Sequence, residues 1–93
     1  MNIDKAKKRI AKHVKKGDKG YPIISMTYFG EKIDCATEVS IQFTLHEGGD
    51  VMEERFASKT DAREDEAIQT TLLKIIERAN ANTVLEVEGV SIL

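Results

Sequence analysis

The chain has 93 residues, 41% of them hydrophobic and 32% charged, with a net charge of −2 and one cysteine. That length suits one domain around one core; no apolar run approaches the roughly 20 residues that span a bilayer, and one cysteine cannot form an internal disulfide. No secretory leader is visible at the N-terminus, so the expectation is a single cytoplasmic domain over residues 1–93 without membrane contact.

The first 20 residues hold eight Lys or Arg against Asp4 and Asp18, a charge of +6, and the remaining chain carries −8. Within them, residues 3–16 read as an amphipathic helix: Ile3, Ala6, Ile10 and Val14 fall within about 80° of one another at helical spacing. Lys5, Lys8, Arg9, Lys12, Lys15 and Lys16 form one basic face opposite that stripe, and Lys7 and His13 flank it. Gly17 is a natural C-terminal stop, and Gly17 to Pro22 make a turn into extended chain.

Residues 22–29, PIISMTYF, are rich in β-branched and aromatic side chains and read as a strand; 30–36 is a polar connection. In 37–46, TEVSIQFTLH, the residues Val39, Ile41, Phe43 and Leu45 alternate with polar ones, which predicts a strand with one face in the core and one in water. EGGD at 47–50 is a hairpin turn, and VMEERFA at 51–57 is a third strand. The period then changes: Ile68, Leu72, Ile75 and Ala79 predict a helix over 60–81, capped by Ser58 or Thr60 and opened by Asp61, Glu64, Asp65 and Glu66. TVLEVEGVSIL at the C-terminal end reads as a fourth strand, or as a short hairpin broken at Glu88-Gly89. The order α-β-β-β-α-β predicts an α+β fold, an antiparallel sheet with both helices packed on one face.

The chemistry-bearing residues are few. His13 borders a helix stripe, His46 ends a strand on its polar face, and Cys35 sits in a polar loop beside Asp34 without the positive surroundings that lower a thiol pKa. One Cys and two separated His supply no zinc spacing. Glu64, Asp65 and Glu66 are consecutive on a helix and point in different directions. Gly48-Gly49 lies between strands and lacks the Lys and Ser/Thr of a phosphate loop. No catalytic residue, metal or cofactor is expected, and the protein reads as no enzyme.

SKTDAR at 58–63, following an α-β-β-β order, resembles the double-stranded RNA-binding domain, whose second helix opens with a pattern like S-K-K-x-A-K; Ser58, Lys59 and Ala62 match it and Arg63 keeps the last charge. The resemblance implies phosphate contacts from Lys59 and Arg63, with the first helix and the loop between the first two strands on adjacent minor grooves. Together with Lys5, Lys8, Arg9, Lys12, Lys15 and Lys16 these make the candidate polyanion-binding set. There is no Trp, and Tyr and Phe sit where a core would claim them, so base stacking has little support. The leading expectation is a small non-enzymatic interaction protein that binds a protein partner or forms a homodimer through its apolar C-terminal strand. Duplex RNA or DNA binding through the basic helix face is the alternative.

Overall fold

In the computed structural model, which describes residues 2–93, helix α1 (Ile3–Lys15) begins where the Asn2 side chain accepts the Lys5 amide. It ends at Gly17, whose φ of +74° turns the chain away. Ala6 and Ile10 are fully buried and Val14 packs against them, so the apolar stripe is the buried one. The chain then enters strand β1 (Ile23–Gly30), antiparallel to β2 (Glu38–Thr44), which pairs antiparallel with β3 (Val51–Ala57). Ile24, Met26 and Tyr28 on β1 and Val39 and Ile41 on β2 point to one face, where all are buried. Phe43 is partly buried on the same face. Leu45, expected in the core, is 56% exposed: β2 ends at Thr44, so the alternation no longer fixes where Leu45 points.

The second helix starts later than its charge pattern predicts. Residues 62–64 form a single 3-10 turn, η1, and helix α2 (Glu66–Ala79) is capped by Asp65, whose carboxylate accepts the Ile68 amide. Neither expected cap, Ser58 nor Thr60, fills that role; Ser58 instead donates its hydroxyl to Asp65 Oδ2 at 3.0 Å. The buried stripe is Ile68, Gln69, Leu72, Leu73 and Ile76, with Ile75 and Ala79 at its margin and Thr71 exposed. Helix α2 ends at Asn80 in the left-handed conformation.

Strand β4 (Thr83–Ile92) is one strand and no hairpin, and it pairs with β1 in parallel, giving the order β3-β2-β1-β4. The all-antiparallel expectation is therefore corrected to a mixed sheet. Strands β1 and β3 run the same way, and α2, about 21 Å long at 1.5 Å per residue, carries the chain back to the end where β3 began. The next strand must then run parallel to β1. The α-β-β-β-α-β order and the packing of both helices on one face are as the sequence predicts. Thr83 is buried and fixes this junction: its hydroxyl accepts the Lys19 amide at 2.8 Å and donates to the Gly20 carbonyl at 2.8 Å. Between Met26↔Glu86 and Tyr28↔Val90, β4 places Val87, Glu88 and Gly89 opposite Thr27 alone, a bulge for which Gly89 supplies a φ of +76°.

Candidate functional site

A concavity of about 620 Å³ lies between α1, η1 and the bulged part of β4. Its floor comes from Ile10, Val14, Tyr28 and Gln69, and its β4 wall from Glu86, Val87 and Gly89. Gln69 is 3% exposed and donates through Nε2 to both the Tyr28 hydroxyl at 2.9 Å and the Ala62 carbonyl at 3.0 Å. Burial pushes the Tyr28 phenol above its ordinary range, and the Gln69 hydrogen bond partly opposes that shift. Burial likewise raises the Glu86 carboxyl, against the attraction of Lys7.

Charged groups line the rim in nearly equal numbers. Lys7 pairs with Glu64 at 2.7 Å. Arg63 grips Asp61 through Nε at 3.0 Å and Nη2 at 2.7 Å, and donates to the Asp34 carbonyl at 3.1 Å. That guanidinium holds the Asp61 carboxyl below the usual range. Lys8 and Lys15 complete the rim, facing Asp61, Glu64 and Glu86 across the groove. Phosphate entering here would meet three carboxylates, one of them in a partly dry position.

The structure separates the candidate polyanion-binding residues. Lys5, Lys8, Lys12, Lys15 and Lys16 lie exposed along α1 and make no ion pair among the described residues. Arg9 points the other way and pairs with Glu77 of α2 at 2.5 Å, where His13 Nε2 lies 3.8 Å from the same carboxylate. Arg63 joins Lys8 and Lys15 at the groove, already bound to Asp61; Lys59 is exposed in the β3–η1 connection and does not line it. His46 closes onto its own turn near Glu47, and Cys35 is half-buried in the β1–β2 connection. Among the described residues no three His, Cys, Asp or Glu side chains converge as metal ligands would.

Sequence reasoning placed an edge at the C-terminal strand, and β4 does lie at one, but it missed the other edge, β3. Strand β3 pairs with β2 over all seven residues without a bulge, and its other edge is open. Val51 and Met52 there are 59% and 58% exposed. At the opposite edge, β4 exposes Leu85, Val87 and Ile92, and Leu93 beyond it is exposed too. The face away from the helices is polar: Glu53 accepts from Ser40 Oγ at 2.6 Å and Gln42 Nε2 at 3.1 Å, which lowers its pKa, and Arg55 lies 4.6 Å above the Phe29 ring. The alternation in VMEERFA could not reveal an edge position, because edge or centre is decided by strand order. No helix of the described residues is long and apolar enough to cross a membrane. Comparisons with protein-family models, with curated proteins and with solved structures find no match to this chain.

Proposed function

We propose that the protein is a small non-enzymatic interaction domain that joins another protein chain through a free edge of its sheet. The observation that carries this reading is β3, a regular seven-residue strand whose alternate residues turn their backbone N–H and C=O groups to an open edge, with Val51 and Met52 exposed on it. Such an edge templates an added strand unless something blocks it. Met52→Pro or a lysine at the same position blocks pairing while leaving the buried core untouched. The test is affinity capture of partners with the full chain, its Met52→Lys variant and a Lys5→Glu/Lys12→Glu/Lys16→Glu variant. Capture lost in the first and retained in the second supports the edge; capture indifferent to Met52→Lys overturns it.

The five unpaired lysines of α1 support the alternative reading, duplex binding through that face. It predicts that chemical-shift changes on adding duplex RNA or DNA cluster on Lys5, Lys8, Lys12, Lys15 and Lys16 and fade with salt. Absence of shifts at low salt removes it. The paired state of Arg63 and Arg9 and the carboxylates of the groove rank it second.

A further inference from the structure

We infer that the partner of the β3 edge is a second copy of this chain, paired antiparallel about a two-fold axis through Glu54. This rests on the edge-pairing reading of the preceding subsection and names its occupant. In a symmetric antiparallel pair, facing residues share a sheet face, so the axis must pass through a residue. An axis at Glu53 sets Met52 against Glu54 and Val51 against Arg55, and one at Arg55 sets Glu54 against Phe56 and the two arginines against each other. The axis at Glu54 alone sets apolar side chains against apolar ones and Glu53 against Arg55, and it also brings the two Glu54 carboxylates face to face. Met52 then faces Phe56 twice, Val51 faces Ala57 twice, and Glu53 faces Arg55 twice.

Those contacts need Glu53 and Arg55 to turn outward, since Glu53 accepts from Ser40 and Gln42 of β2 and Arg55 lies over the Phe29 ring of β1. Both lie on the polar face, and the ion pairs of Arg55 within its own chain are long, 3.5 Å to Glu38 and 3.6 Å to Glu53. Its side chain is 48% exposed and can reach a second carboxylate. Met52 and Phe56 lie on the helix-bearing face, by their pairing with Phe43 and Val39. Met52 is 58% exposed there and Phe56 partly so. Two copies would cover each other's Met52 and Phe56 and continue the sheet to eight strands. Strand β4 offers no such match: its bulge interrupts the edge, and an axis at Val87 sets Glu86 against Glu88.

A single strand pair of seven residues buries less than the roughly 1,200 Å² of a standard interface, so the dimer belongs to the weak class. Sedimentation of the full chain is therefore run up to roughly 1 mM, where a weak dimer is populated. The expected result is a concentration-dependent dimer that Arg55→Glu abolishes and that Glu53→Arg combined with Arg55→Glu restores, circular dichroism reporting that each variant is folded. Glu54→Gln removes the one like-charge pair and tightens the dimer roughly two- to fivefold. A second measurement uses a Cys35→Ser background: Glu54→Cys places two thiols across the axis, with Cα atoms about 4.5–5.5 Å apart, within disulfide range. It cross-links in air, whereas Glu53→Cys, two positions out of register with itself, does not. A monomer at every concentration without Glu54→Cys cross-linking overturns the second copy, as does cross-linking through Glu53→Cys instead. If Met52→Lys still abolishes capture of a different protein, the edge reading survives that failure; if it does not, both fall.

Discussion

Gln69 is the one polar residue buried on the core face of α2, and replacing it by leucine tests what it does there. Leucine is close in volume and as good a helix former, so the cost is in hydrogen bonds. The wild-type amide serves the Tyr28 hydroxyl and the Ala62 carbonyl, both on residues at most 4% exposed. Each buried group left without a partner costs about 1–3 kcal/mol, so Gln69→Leu is expected to cost about 2–4 kcal/mol after some relaxation toward groove water. For a chain of this length 1 kcal/mol moves Tm by about 4–8 °C, giving a drop of at least about 8 °C. Tyr28→Phe alone removes one partner and is expected to cost about 1 kcal/mol. In the double variant the tyrosine has already lost its hydroxyl, so the combined loss falls short of the sum by about 1 kcal/mol. Urea unfolding of the four proteins measures the cycle. A Gln69→Leu cost below about 0.5 kcal/mol, or strict additivity, would refute the argument that this amide docks η1 onto β1.

Three further outcomes follow from the same geometry. Glu86→Gln should stabilise the fold slightly at pH 7: desolvation raises the folded carboxyl pKa above 4.5, so the wild type loses stability as pH rises past that value, by an amount that the exposure of the side chain keeps small. Urea curves of the two proteins should converge below about pH 4, where both states are protonated. Asp61→Asn acts in the opposite sense, because the folded Asp61 titrates below 3.8. Its stabilising grip on Arg63 is complete above the unfolded value and is lost as pH falls through the folded one, so the wild-type advantage should shrink as acid unfolding is followed below pH 3.8. Gly30→Ala should cost about 3 kcal/mol or abolish folding, since a Cβ would lie 2.1 Å from the Cys35 carbonyl oxygen; thermal unfolding reads it directly.

The elements legible in the sequence were those whose signal is local. The stripe at Ala6, Ile10 and Val14 and the alternation at Val39, Ile41 and Phe43 each name a face, and the structure buries those faces. The start of α2 was misread because Asp61, Glu64, Asp65 and Glu66 all suit a helix N-terminus, and only geometry shows Asp65 capping while Asp61 turns to Arg63. The parallel partnership of β4 with β1 spans about 60 residues of chain, beyond any local pattern. Gly30 carried an unread hint, because an isolated glycine ending a strand marks close backbone approach, here by residue 35. At the groove, Lys8 and Lys15 were legible as exposed cations, but the carboxylates opposite them come from distant segments.

The charge split along the chain is resolved within the fold only in part. Lys7–Glu64 and Arg9–Glu77 tie α1 to η1 and α2, but all four side chains are more than a third exposed, and such pairs are worth at most about 1 kcal/mol each. Burial of Ala6 and Ile10 holds the helix, and the pairs set which way its flanks point. The remaining lysines are left facing water, which keeps that side of the molecule from sticking to copies of itself. The sheet edges are guarded differently. A bulge and two glutamates of one sign protect β4, since a second copy would bring like charges together. The guard on β3 is a glutamate and an arginine two positions apart, on one face of a strand. Under a two-fold axis that pair is its own complement, so the charges that would repel most strands select one.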